Sequence, residues 1–167
     1  MSEEPIDFQN IKSEAAKLLI KNGYITLNQF PVLIEEIAKT EGFTVQCFTA
    51  SNKDKTNQVS GAISSHNPVI LVNSRDNYER QRFTIAHELG HFKLHWNQQR
   101  EFVDYRIPGV RNKKELEADE FAACLLMPEE NFKKAWEYTK GNYEKLSKIF
   151  LVSFAAIGMR AFNLKLQ

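Results

Sequence analysis

Apolar residues recur at helical spacing over the first forty or so positions of the chain. Residues 8–22 carry them three or four positions apart and are followed by Gly23, a residue type that commonly ends helices. A second helix is expected to end at Gly42, with Asn28 as its amino-terminal cap and Pro31 in its first turn. The pattern therefore predicts two amphipathic helices at the start of the chain.

The pattern then changes to short segments that are rich in β-branched and aromatic residues. Three such segments occupy residues 43–48, 58–65 and 68–73. Runs of this length and composition are typical of strands. We expect a three-stranded, mostly antiparallel sheet.

Helical spacing returns from Asp76 to about Trp96, in what would be the central helix, and again over residues 113–127. Residues 97–112 lie between these helices, contain proline and glycine, and are interpreted as a long loop. Loops of this length are often functional in compact domains.

The carboxyl-terminal part is expected to be helical throughout. Pro128 can start a new helix, and two short helices should follow, joined around residues 151–152, with Ser153 as the cap of the second. We assign residues 1–140 to one α+β domain with helices around the sheet. Residues 141–167 form a helical segment packed on that domain.

This last segment loosely resembles a helix-turn-helix core. Residues 129–167 carry seven basic and four acidic side chains, so basic residues are few. Several of its apolar side chains look buried, among them Phe150, Phe154 and Ile157. A helical hairpin packed on the domain is therefore favoured over direct nucleic-acid binding.

The composition is that of an ordinary globular domain. Of 167 residues, 43% are hydrophobic and 26% charged, and the net charge of +1 argues against a strongly basic nucleic-acid binder. No leader or membrane-spanning apolar run is evident, so we expect a cytoplasmic protein without membrane contact. Cys47 and Cys124 lie in apolar stretches and are expected to be reduced and buried.

Histidines and carboxylates are unevenly distributed. Three of the four histidines, His87, His91 and His95, lie within nine residues on the predicted central helix. Residues 115–128 then hold four carboxylates and no basic side chain. Imidazoles and carboxylates are zinc ligands, so the two clusters together indicate a metal site.

His87, Glu88 and His91 form an H-E-x-x-H sequence. Residues four apart share one helical face, so both imidazoles can bind one Zn²⁺ at about 2.0–2.1 Å. Glu88 is rotated by about 100° around the helix and lies beside the ion. It can take a proton from a zinc-bound water and pass it to a leaving amine, which makes it the candidate general base.

A catalytic zinc needs a third protein ligand. His95 is about 12 Å along the helix from His87, so the two cannot reach one ion. Glu115 and Asp119 share one face of the next helix. Glu115 is the favoured ligand, and Asp119 is expected to accept the outer N–H of a ligand histidine. Glu117 points away from this face and is the alternative ligand.

Three further residues are candidates for contacts with the substrate or with the oxyanion of the transition state. His66 precedes the third predicted strand, Tyr105 lies in the predicted loop, and His95 ends the central helix near the expected cleft. Each can donate a hydrogen bond to an oxyanion. The sequence favours none of the three.

The stretches RQRFTIAHELGHFKLHW and ELEADEFAACLLMP together resemble the ImmA/IrrE family of small zinc-dependent metallopeptidases. The resemblance implies a zincin-like fold, in which an edge strand aligns the substrate backbone. On the family pattern, Glu88 is the general base and Asp119 stands where members have Asn or Asp. The zinc ligands on that pattern are His87, His91 and Glu115.

The resemblance also implies a partner. Family members cleave or otherwise inactivate XRE-type helix-turn-helix repressors and so derepress phage, mobile-element or stress-response genes. The expected function is therefore a zinc endopeptidase with such a repressor as substrate, with Mn²⁺ or Fe²⁺ as alternative ions. The alternative is a toxin-like docking protein that binds an XRE-type antitoxin or repressor without cleaving it. An intact Glu88 favours the enzyme, since docking alone does not require a general base.

Overall fold

The computed structural model describes residues 5–24, 26, 29–49, 60–64, 67–96, 103–106 and 112–166. Within these residues the helices are α1 (Phe8–Lys21), α2 (Ile34–Thr40), α3 (Tyr78–His95), α4 (Lys113–Leu126), α5 (Glu129–Thr139), α6 (Tyr143–Phe150) and α7 (Phe154–Asn163). The strands are β1 (Thr44–Phe48), β2 (Gly61–Ser64), β3 (Val69–Asn73) and β4 (Val103–Arg106). The predicted α+β class is confirmed.

The strands form one mixed sheet with the order β1-β3-β2-β4. β1 runs parallel to β3, whereas β2 is antiparallel to both β3 and β4. Pairing is therefore mostly antiparallel, as predicted, but the sheet has one strand more than expected. β4 lies inside the segment interpreted as a loop. Four residues are too few to show strand periodicity, and the partner strand β2 lies far earlier in the chain.

The second helix is shorter than predicted. α2 begins at Ile34, after Pro31 rather than around it, and has no side-chain cap. The N–H of Leu33 instead donates to the hydroxyl of Tyr24 at 2.8 Å. Asn28, the predicted cap, lies outside the described residues.

Helix α3 packs between the sheet and α4. Gly90 lies at the crossing with α4, where an added Cβ would be 3.1 Å from the Cα of Ala118. The helices can come this close because Gly90 has no side chain and Ala118 has a small one. The crossing fixes how the side chains of α3 and α4 face each other on either side of it.

Helices α6 and α7 meet at a bend of 100° rather than as the expected hairpin, and they share their core with the rest of the chain. Phe150 and Ile157 are fully buried in that core. Ser153 caps α7, as predicted, by accepting the N–H of Ala156 at 3.2 Å. The predicted burial of Phe154 is wrong: it is 54% exposed because it lies on the outer face of the first turn of α7. The division into a domain and a carboxyl-terminal segment stays a prediction.

A buried arginine joins the turn between α6 and α7 to the central helix α3. The guanidinium of Arg82, on α3, donates from Nε to the carbonyl of Leu151 at 3.1 Å and from Nη2 to the carbonyl of Val32 at 2.7 Å. A buried charge is costly unless it is hydrogen-bonded, and these carbonyls offset part of that cost. Arg82 thus joins α3 to the turn before α7 and to the segment before α2.

Both cysteines are free, as predicted, but only Cys124 is buried. Cys47 is exposed because it lies on β1 at one edge of the described sheet, where an apolar sequence does not ensure burial. In the described part of the chain no single helix is long and apolar enough to cross a bilayer. α6 and α7 reach that length only together, and they meet at a bend of 100°.

Candidate metal centre

Two buried imidazoles and one carboxylate converge where α3 faces α4. His87 and His91 lie one turn apart on α3, and their Nε2 atoms are 2.9 Å apart. Glu115, in the first turn of α4, places Oε2 3.3 Å from Nε2 of His87 and Oε1 3.2 Å from Nε2 of His91. The structure therefore brings together the three residues predicted to be ligands.

The spacing of these atoms fits a zinc ion. Ligand atoms about 2.0–2.1 Å from a tetrahedral zinc are about 3.3 Å apart, close to the separations observed here. Two neutral imidazoles and one carboxylate are also a donor set that binds catalytic zinc. The residues present therefore fit the metal that the sequence predicts.

A hydrogen bond at the outer nitrogen of His87 sets the tautomer of its ring. Nδ1 of His87 is 2.8 Å from Oδ1 of Asp119, one turn beyond Glu115 on α4. A carboxylate can only accept, so Nδ1 carries the proton and Nε2 presents a lone pair. Asp119 therefore lies where its contact with His87 turns Nε2 toward His91 and Glu115.

The titration behaviour of the cluster suits a cation. Burial, and then the neighbouring His87, lower the pKa of His91 to about 3. Burial alone raises the pKa of Glu115, but the close approach of the His87 and His91 imidazoles outweighs that effect and lowers the pKa on balance. At neutral pH His91 is therefore uncharged and Glu115 ionised, which are the forms that bind metal.

Glu88 follows His87 on α3 and is fully buried beside the sheet. A Cβ added to Gly61, on β2, would lie 3.3 Å from Oε1 of Glu88 and 2.2 Å from Cγ2 of Thr84. A larger residue would therefore displace this part of α3 and the carboxylate. Sequence reasoning did not select Gly61, although a glycine inside a predicted strand is a signal of close backbone approach.

His95 and Glu117 lie behind His91 and outside the ligand cluster. Nδ1 of His95 is 3.0 Å from Nδ1 of His91, and its Nε2 is 2.9 Å from Oε2 of Glu117. Among the described residues Glu115, and not the alternative Glu117, completes the cluster. The suggestion that His95 contacts substrate stays a prediction.

The two other candidates for substrate contacts are not assigned by the structure. His66 lies outside the described residues. The backbone of Tyr105 pairs with Ala62 in the β2–β4 register, next to Gly61. Tyr105 therefore belongs to the strand beside the one that lies against Glu88, and its role as an oxyanion donor stays a prediction.

An α+β fold with a buried His-His-Glu cluster and an adjacent buried glutamate defines the class of H-E-x-x-H metalloproteins. The model of the Peptidase M78 family, described as the IrrE N-terminal-like domain, matches residues 41–162. The match covers most of the chain and includes both helices of the cluster. The chain belongs to this family, which confirms the predicted resemblance.

Relatives agree with this assignment. Immunity region protein 2 of Bacillus phage phi105, described as uncharacterized, is 38% identical over 63 residues, which are 38% of this chain and 40% of that protein. The metallopeptidase ImmA of Bacillus subtilis strain 168 is 31% identical over 83 residues, 49% of each chain. The matched region thus spans about half or less of these relatives.

One solved structure shares the fold. It is a Mycobacterium tuberculosis transcriptional regulator, with a TM-score of 0.60 and 16% identity, and the match covers 89% of this chain and 45% of that one. At this identity the similarity concerns the fold alone. It supports the arrangement of the described helices and strands.

Proposed function

We propose that the chain is a zinc-dependent endopeptidase that cleaves and inactivates an XRE-type helix-turn-helix repressor. The observation that carries the proposal is the cluster of His87, His91 and Glu115 on two crossing helices, with Glu88 next to it. A site for structural zinc would have four protein ligands and no need for a buried carboxylate beside them.

The chemistry follows from the positions of these side chains. His87, His91 and Glu115 would hold the ion, which when bound polarises the scissile carbonyl and acidifies a water molecule. Glu88 takes a proton from the attacking water as its oxygen bonds to the carbonyl carbon. The same carboxyl gives the proton to the amide nitrogen as the C–N bond breaks.

The proposed partner rests on the family and on one surface. ImmA and a phage immunity-region protein are among the relatives, which supports a role in repressor control. On α7 the exposed large side chains are Phe154, Met159 and Phe162, whereas its basic residue Arg160 is buried. Such a face suits contact with a protein better than contact with the phosphate backbone of DNA.

The decisive experiment incubates the purified, zinc-loaded protein with XRE-type repressors of its own genome, beginning with any that a neighbouring gene encodes, and follows each repressor by electrophoresis and mass spectrometry. We expect one or a few cuts, abolished by a chelator and restored by zinc. Glu88→Gln should lower the cleavage rate by about 10²–10⁴-fold, since it removes general acid–base catalysis. The variant should keep its zinc, as metal analysis would show.

Binding of the repressor without cleavage under any metal condition would contradict the enzyme. It would support the docking alternative, in which the protein sequesters its partner. Cleavage that survives Glu88→Gln at the wild-type rate would show that another group is the base.

A further inference from the structure

His91, His95 and Glu117 form a hydrogen-bonded chain that leads away from the ligand cluster. Nδ1 of His91 faces Nδ1 of His95 at 3.0 Å, and Nε2 of His95 faces Oε2 of Glu117 at 2.9 Å. The side chains of His95 and Glu117 are only 7% and 15% exposed. The chain is therefore largely shielded from solvent, and it begins at the ring nitrogen of His91 that faces away from the cluster.

The acceptor at the far end sets the proton on every nitrogen of this chain. The carboxylate of Glu117 can only accept, so Nε2 of His95 donates to it. In a neutral imidazole the other nitrogen is then an acceptor, so Nδ1 of His95 accepts the N–H of Nδ1 of His91. His91 is left with a lone pair on Nε2, the atom that faces His87 and Glu115.

We propose that His95 and Glu117 are positioning residues that hold His91 in its metal-binding tautomer and orientation. The proposal rests on the proposed function, since it requires the cluster to bind a metal. Ligand histidines are commonly oriented through their outer nitrogen, and removing such a partner typically weakens metal binding by about 10–100-fold. The outer nitrogen of His87 contacts the carboxylate of Asp119 directly. The outer nitrogen of His91 is instead linked to the carboxylate of Glu117 through the imidazole of His95.

The helix crossing explains why this chain forms. His95 is one turn beyond His91 on α3, with ring centroids 5.2 Å apart, so α3 itself aligns the two rings. Glu117 directly precedes Ala118, the residue packed against Gly90 at the crossing. The crossing that brings Glu115 to the ligands therefore also brings Glu117 within reach of His95.

The test measures zinc affinity by competition with a chelator of known affinity, on the full chain. His95→Phe keeps an aromatic ring but has neither donor nor acceptor, and we expect zinc to bind about 10-fold more weakly or worse. His95→Gln keeps an acceptor and a donor and should restore most of the affinity. A role limited to filling space predicts the opposite order, because Phe fills the site at least as well as Gln.

A double-mutant cycle tests whether Glu117 acts through His95. Glu117→Gln alone should weaken zinc binding, but in the His95→Phe background it should cause no further loss. The absorption spectrum of the Co²⁺-loaded protein gives a second readout, and it should change in His95→Phe and return toward wild type in His95→Gln. Lys93→Met is the matched control, since Lys93 lies on the same last turn of α3 and pairs with Glu41 away from the ligands.

The outcomes separate this proposal from the proposed function. A wild-type protein that binds no stoichiometric zinc would overturn both. Wild-type zinc binding with unchanged affinity and Co²⁺ spectrum in His95→Phe and Glu117→Gln would overturn the positioning role alone. If His95→Phe fails to fold, as circular dichroism would reveal, His95→Gln and Glu117→Gln still decide, since additive losses in their double variant would contradict a shared chain.

Discussion

Helix α4 carries buried carboxylates on two faces, and their partners differ in kind. On one face, Oε1 of Glu120 pairs with Nη1 of Arg160 from α7 at 3.0 Å, with both side chains largely buried. On the other face, Glu115 meets two imidazoles, and in the described part of the chain no lysine or arginine pairs with it. The first face contains its own cation, whereas the second presents lone pairs to a cation that the protein must bind.

On the Arg160 face, the polar groups bond to other groups of the same chain. Nε of Arg160 donates to the carbonyl of Met127 at 3.0 Å, and Nη2 lies 3.7 Å from Sγ of Cys124. The thiol in turn donates to Oε1 of Glu120 at 3.4 Å. Burial raises the pKa of Cys124 to about 11, so the thiol stays protonated at neutral pH and is not a reactive nucleophile. This face is structural.

The comparison explains the run of carboxylates over residues 115–120, which contains no basic residue. Glu115 faces the ligand histidines directly, and Asp119 and Glu117 contact the imidazoles of His87 and His95. Among the described residues, Glu120 is the member of this run that pairs with a buried cation, Arg160 of α7. A cluster of like charges in sequence can therefore serve two purposes on one helix.

The largest expected effect comes from removing Arg160, the cation that pairs with Glu120. Arg160→Met leaves Glu120 buried without its cation, which typically costs about 3–5 kcal/mol of unfolding free energy. Urea unfolding with and without zinc should show the same loss, since no ligand of the cluster contacts Arg160. Adding Glu120→Gln to this variant should recover part of the stability. A loss that appears only when zinc is present would contradict the separation of the two faces.

The next largest effect comes from removing the carboxylate that faces His87 and His91. Glu115→Gln removes the negative ligand and should weaken zinc binding by more than about 100-fold, beyond the loss expected for an outer partner. Wild-type protein should gain about 4 kcal/mol of stability when free zinc is a thousand times its Kd, and the variant should gain about 1.4 kcal/mol or less at that concentration.

In chelator the thermal midpoint of the variant should be only slightly lower than that of wild type, because Glu115 then loses just its contacts with the imidazoles of His87 and His91. Thermal unfolding monitored by circular dichroism, with and without zinc, measures both quantities. A large destabilisation of the variant in chelator would show that Glu115 is mainly structural.

More of the metal-ligand cluster than of its surroundings could be predicted from the sequence. The i, i+4 spacing of His87 and His91 and the helical periodicity around them are local signals, and they predicted both α3 and the face that carries the imidazoles. Glu115 was chosen because helix rise excludes His95 as a ligand. Such arguments use only the geometry of one helix at a time.

What the sequence did not supply depends on contacts between distant segments. His95 seemed separate from the ligands because its relation to Glu117 exists only once α3 and α4 cross at Gly90. β4 was missed because its four residues are recognisable only beside β2. The partner of Glu120 lies on α7, and the exposure of Cys47 follows from the position of β1 at the sheet edge. None of these is visible within a sequence window.

The smallest expected effect comes from a carboxylate that, like Glu120, pairs with basic side chains of the same chain but lies at the surface. Glu129 bonds Lys12 of α1 and Lys133 of α5, each at 2.6 Å. Hydrogen bonds from Lys12 and then from Lys133 lower its pKa to about 2. A lowered folded-state pKa means that the stabilisation is complete above the ordinary value of 4.5 and is lost as the pH falls toward about 2.

Exposed pairs contribute at most about 1 kcal/mol, so Glu129→Gln should be only slightly less stable than wild type at pH 7. The difference should shrink in 1 M salt and vanish between about pH 4.5 and pH 2, because protonation then removes the charge from wild type as well. Urea unfolding across this pH range measures it, with Glu144→Gln as a control at an exposed pair that lies within one helix. A difference that persists unchanged at pH 2 would mean that Glu129 acts through packing, and the contrast with the buried Glu120 would then not be one of solvent exposure.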